Sequence, residues 1–310
     1  MTLEPAARAA AQPKVRSDTG PDAQRDVDWA QEAESLVRSI TRDVQWLAEA
    51  AALLAPGRQT IIDLGCGAGG MALALADAAP TAHIIAVDGE PVLLDHARQL
   101  AREHGGPALN IRYAQIRFEK GPHALQAAIG GVSPDLIWAS AVLHHAPDQQ
   151  RTADEAASLL APGGRIALAE GGLPMRFLPW DTGLGEPGLE SRLETAQHHR
   201  LAALRDNLPG TVRMPYGWQE LLRRAGLINV QSVSFTIDRQ APPGSTTMND
   251  VLTILANQTA DLIELGLLDE TDAKVWHHLL DPEDEAWLGH RQDIYQLTTR
   301  VVHFADRPHS

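Results

Sequence analysis

Cysteine is nearly absent: Cys66 is the only one in 310 residues, so no internal disulfide can form and a reducing, cytoplasmic setting is expected. Basic residues are outnumbered, with 26 Lys and Arg against 40 Asp and Glu. The resulting formal charge of -14 argues against a nucleic-acid backbone as partner, because phosphate contact needs a basic surface. Also missing are an apolar run long enough to span a bilayer and the uninterrupted apolar core of a signal peptide, so no membrane partner is expected. What the chain does have is bulk. A 44% hydrophobic content over this length can bury one large α/β core and a smaller accessory layer.

The most informative stretch is Ile61, Ile62, Asp63, Leu64, Gly65, Cys66, Gly67, Ala68, Gly69, Gly70. Thr60 to Leu64 reads as a buried strand of a parallel sheet, and Met71 to Ala79 as a helix ended by Pro80. Glycines between them let the backbone turn sharply and pass close to a ligand. This is the nucleotide-side crevice of an open α/β sheet. Gly65, Gly67 and Gly70 also satisfy the dinucleotide fingerprint, which leaves an NAD(P)-dependent oxidoreductase as an alternative. Asp63 weighs against it: a carboxylate there repels a pyrophosphate but suits a ligand with a cationic amino group or sulfonium.

His83 to Val87 is a second apolar strand ending in Asp88, placed where a carboxylate can accept both ribose hydroxyls. A further strand segment runs from Pro134 and Asp135 through Leu136, Ile137, Trp138, Ala139 and Ser140 to Leu143, His144 and His145; Leu159, Leu160, Ala161, Pro162, Gly163, Gly164 reads as a turn before Arg165 to Ala169. With these four landmarks in order, the chain resembles the class I S-adenosylmethionine-dependent methyltransferases. The resemblance is specific over Thr60 to Ala169. It implies a Rossmann-like, doubly wound, seven-stranded, mostly parallel α/β sheet with an antiparallel last strand, and S-adenosylmethionine as cofactor. It further implies cofactor contacts from Asp63, Gly65, Cys66, Gly67, Asp88, Gly89, Arg117, Phe118 and Ala139. Where the family has an acid after the third strand, Arg117 and Phe118 stand here, so Phe118 stacking on the adenine, or Glu119 one position on, would replace that contact.

Around this core the expected organisation is a disordered tail over 1–26, a cofactor-binding core over 27–170, a cap insertion over 171–227, and the last two strands over 228–310 with an inserted helical segment at about 241–293. Trp29, Ala33, Leu36, Val37, Ile40, Val44 and Leu47 recur at helical spacing, and in the resembling family such a helix lies over the cofactor. Ile228 to Ile237 and Gln296 to Ala305 alternate as half-exposed strands do. The inserted helices must bury an apolar face, and a lid over the substrate pocket or a homodimer surface would each serve.

The chemistry implied is methyl transfer to an oxygen, nitrogen or carboxylate of a small molecule or short peptide, with a non-catalytic cofactor-binding module as a further alternative. His144, His145 and Glu170 are the catalytic candidates. His144 with Asp148 is similar to a His-x-x-x-Asp arrangement in small-molecule O-methyltransferases. His198 and His199 are adjacent and point apart on a helix, so no metal site is expected.

Overall fold

The structure is a computed structural model and describes residues 29–116 and 122–309. The expected tail over 1–26 lies outside the described residues. Helix α1 (Trp29–Leu54) is followed by β1 (Thr60–Leu64), α2 (Gly70–Ala78), β2 (His83–Asp88), α3 (Pro91–His104), β3 (Arg112–Gln115), α4 (Pro122–Ala128), β4 (Leu136–Ser140), α5 (Gln149–Leu159) and β5 (Arg165–Ala169). Then come α6 (Leu189–Asp206), α7 (Trp218–Arg224), β6 (Ile228–Gln240), α8 (Thr246–Glu264), α9 (Glu270–Leu280) and β7 (Tyr295–Asp306). Local chemistry fixes several of these boundaries. Pro91 opens α3, where its missing N–H costs nothing, and Gly105 ends it at φ 75°. Asp148, Ser245 and Asp269 cap α5, α8 and α9 by accepting the backbone N–H groups of Arg151, Met248 and Thr271.

Seven strands form one sheet in the order β3-β2-β1-β4-β5-β7-β6. The first five are parallel, and β7 runs antiparallel to both β5 and β6. Because strand side chains alternate, the sheet builds two cores. Ile61, Ala86, Trp138 and Ala167 face α1, α2 and α3, whereas Ile62, Leu64, Ile137 and Leu168 face α5 and α7. Strand order reverses between β1 and β4, which opens a crevice at their carboxyl ends.

β6 and β7 run on past that edge. Ala169, the last residue of β5, pairs with Val302, so Tyr295 to Val301 and their β6 partners project beyond the parallel strands. The chain leaving β5 follows the projection: Arg176 pairs with Leu297 in both directions, and Tyr295 N–H donates to Phe177 O. This brings Phe177, Leu178, Leu189, Leu193 and Ala196 into a third core with Met248, Val251, Leu255, Trp276, Leu279 and Ile294. The two inserted segments therefore share one apolar interior.

Two details depart from the sequence reading. The last helix of the first insertion, α7, packs Leu221 and Leu222 into the α5 side of the sheet instead of joining α6, α8 and α9. Val44, counted among the apolar positions of α1, is 59% exposed, because the buried stripe there runs through Trp46, Leu47, Ala50, Ala51 and Leu54.

Candidate active site

The turn after β1 is built to be crowded. Gly65 and Cys66 donate their N–H groups to Val87 O, and Gly65 has φ 70°. A Cβ on Gly65 would lie 2.3 Å from a Val142 methyl, so only glycine lets the loop after β4 close over this turn. On the other side α1 covers it, with Leu36 over Gly67 and Ile40 over Gly70.

Two carboxyl groups flank the turn. Asp63 is 2% exposed and has Oδ2 without a hydrogen-bond partner. Burial first, and the nearby Asp88 second, push its pKa up to about 7. An unpaired buried carboxyl oxygen beside a glycine cradle fits a ligand bearing an ammonium group. Asp88 accepts Gly67 N–H through Oδ2 and Glu90 N–H through Oδ1, both at 2.9 Å, so it locks the glycine turn to the end of β2. Each oxygen keeps a second lone pair. Gly89, next along, is half-buried and accepts from the Gln115 amide. Cys66 is buried, and burial above all, with Asp63 and Asp88, holds its thiol pKa well above the ordinary value, so it stays protonated.

The sequence candidates do not all converge here. Ala139 is fully buried in the α5-side core and its backbone is committed to the β1 and β5 ladders, so its side chain offers a ligand no surface. Arg117, Phe118 and Glu119 lie outside the described residues. On the α1 side, Trp46 and Trp138 rings approach to 6.2 Å, and neither indole N–H has a partner.

The catalytic candidates do meet. Glu170, 3% exposed at the end of β5, accepts the N–H groups of Val142 and Leu143 at 2.8 and 2.7 Å through Oε1, and its Oε2 lies 2.9 Å from His144 Nδ1. Since a carboxylate only accepts, Nδ1 carries the proton and Nε2 is the basic nitrogen. His145 stacks against His144 at 4.0 Å, and burial, then the neighbouring His144, hold its pKa below the ordinary imidazole value. Asp148 does not orient His144, as the His-x-x-x-Asp spacing suggested; its side chain is spent capping α5. Sequence spacing also gave no sign that Arg205, at the end of α6, donates to the carbonyls of His144 and Ala146.

Residues 62–166 match a family model described as a methyltransferase domain. These residues form a methyltransferase domain of the class I, S-adenosylmethionine-dependent kind. Over 123 residues it is 30% identical to the arsenite methyltransferase of Halobacterium salinarum, covering 39% of this chain and 29% of that one. Over 160 residues it is 32% identical to the trans-aconitate 2-methyltransferase of Methylobacterium radiotolerans, covering 46% of this chain and 55% of the relative. A solved structure of Haemonchus contortus phosphoethanolamine N-methyltransferase 2 in complex with S-adenosyl-L-methionine superposes with TM-score 0.41 at 14% identity, over 81% of this chain and 49% of that one. The chain thus spans roughly a third to a half of the length of the curated relatives it matches. Among the described residues no group of three or more His, Cys, Asp or Glu could hold a metal ion, and no helix is long and apolar enough to cross a membrane.

Proposed function

We propose that this chain transfers a methyl group from S-adenosylmethionine to an oxygen or nitrogen of a small organic molecule or short peptide. The observation carrying this reading is the His144–Glu170 pair, which ties the loop that closes over Gly65 to the end of β5. When bound, S-adenosylmethionine supplies a methyl carbon activated by its sulfonium. Asp63 would meet the cationic amino-acid portion, Gly65 and Gly67 would pass beneath it, and Asp88 would accept from the ribose hydroxyls through its free lone pairs.

His144 Nε2 would take the proton of a hydroxyl or ammonium acceptor, while Nδ1–H stays on the Glu170 carboxylate and stabilises the imidazolium that forms. A carboxylate acceptor, already ionised, would need no such base. Exclusion of water would fall to α1 and to the two insertions, whose shared core is tied to the part of β7 that projects past the parallel strands. His145 is the second choice for the base, with its lowered pKa keeping it neutral at working pH.

The test is incubation with methyl-labelled S-adenosylmethionine and a panel of small hydroxyl, amine and carboxylate acceptors, read by mass spectrometry. Acceptor-dependent formation of S-adenosylhomocysteine supports the reading. Cofactor binding with no turnover across broad panels would favour the non-catalytic module.

A further inference from the structure

The loop that carries His144 is held from two sides by opposite charges on different parts of the molecule. From the sheet, the Glu170 carboxylate takes its amides and the His144 ring, as described above. From the cap, the Arg205 guanidinium takes its carbonyls: Nη1 donates to His144 O at 2.7 Å and to Ala146 O at 3.4 Å, and Nη2 reaches Pro147 O at 3.4 Å. Val212 N–H also donates to Pro147 O, and the Thr211 hydroxyl donates to Arg205 O, so the chain after α6 folds back to hold both the loop and the arginine.

The two anchors differ in what they report. Glu170 closes β5 and is fixed to the sheet. Arg205 belongs to α6, whose Leu193 and Ala196 are buried in the third core with residues of α8 and α9. Among the described residues no carboxylate forms an ion pair with Arg205. Its planar fork of donors is spent on loop carbonyls instead, a geometry a lysine cannot copy.

We propose that Arg205 is a positioning residue that makes the placement of His144 depend on the seating of the cap, so that acceptor held by the cap completes the base. This rests on the reading of His144 as the base, but the coupling itself is measurable without turnover. A shift of α6 would pull the carbonyl side of the loop while Glu170 keeps the amide side, and the His144–Glu170 bond lies between the two.

The test is an NMR exchange measurement on the full chain with 15N-labelled histidine and backbone, with and without S-adenosylhomocysteine, His144→Gln serving to assign the ring signals. In the parent, His144 Nδ1–H and the Val142 and Leu143 amides are expected to exchange slowly. In Arg205→Gln they should exchange about tenfold faster, with S-adenosylhomocysteine affinity within about twofold of the parent and the Ile62 amide in β1 unchanged. Arg205→Lys should recover only part of the protection, and it carries the test if Arg205→Gln fails to fold. Unchanged exchange at all three protons in both variants would overturn the proposal, as would acceleration that extends equally to Ile62. Failure of the parent to bind S-adenosylhomocysteine would instead count against the proposed function, and the exchange comparison would still be read on the ligand-free protein.

Discussion

His144 Nδ1 and Glu170 Oε2 lie 2.9 Å apart, although the two residues stand on different strands' ends and are separated by 26 positions in sequence. Under the proposed function Glu170 would then act by fixing the tautomer of His144 rather than as a second, independent base. Replacing it with Gln would set an amide N–H against the Val142 and Leu143 N–H groups or against the ring. Glu170→Gln should cost about 1–3 kcal/mol of stability, seen as a lowered denaturant midpoint. An unchanged midpoint would mean that the loop does not depend on these bonds.

His144→Ala should lower turnover of hydroxyl or amine acceptors by about two to four powers of ten, with S-adenosylhomocysteine affinity preserved. For a carboxylate acceptor the same change should cost little. Steady-state kinetics beside calorimetry separate these cases, and joint loss of binding and turnover would assign His144 to bracing the loop instead.

Asp63 gives a pH signature. Its folded-state pKa of about 7 lies above the ordinary 3.8, so the folded protein binds this proton more tightly than the unfolded chain. The stabilisation is full below about pH 4 and is lost as pH rises to about 7, beyond which a buried carboxylate is carried at a cost. Asp63→Asn should accordingly gain stability over the parent at pH 8 by up to a few kcal/mol, with little gain at pH 4. Melting curves at the two pH values measure this, and equal differences at both would show that Asp63 is not the titrating group.

Much of this site was legible in the chain. The glycine turn, its flanking acids and the ordering of strands follow from apolar runs ended by Asp63 and Asp88, since a buried parallel strand must be apolar and its ligand edge must not. The β5 boundaries, Arg165 to Ala169, coincide with the expected ones. What spacing could not give were contacts across the fold. Asp148 has the right offset from His144 but was claimed by a helix N-terminus, and the true partner, Glu170, comes from the neighbouring strand. Arg205 reaches the same loop from a helix whose docking is decided by its apolar face, which says nothing about where a charged end residue will land.

The expected cap has its own measurable property. Its core joins Phe177 and Leu193 to Leu255 and Trp276 and is separate from both sheet cores, so it is expected to be the less stable unit. Hydrogen exchange over 173–206 and 241–294 should be faster than in β1 and β4, and should slow when S-adenosylhomocysteine and an acceptor are both present. Equal protection in cap and sheet, unchanged by ligands, would fit a fixed surface for a second copy of the chain.

Cofactor identity is tested most directly by a calorimetric titration of the parent and Asp88→Ala with S-adenosylmethionine and with NADH. One S-adenosylmethionine is expected to bind per chain, weakened in Asp88→Ala by about 1.5–3 kcal/mol, with no NADH binding. Binding of NADH by the parent, with S-adenosylmethionine affinity absent or indifferent to Asp88, would contradict this expectation.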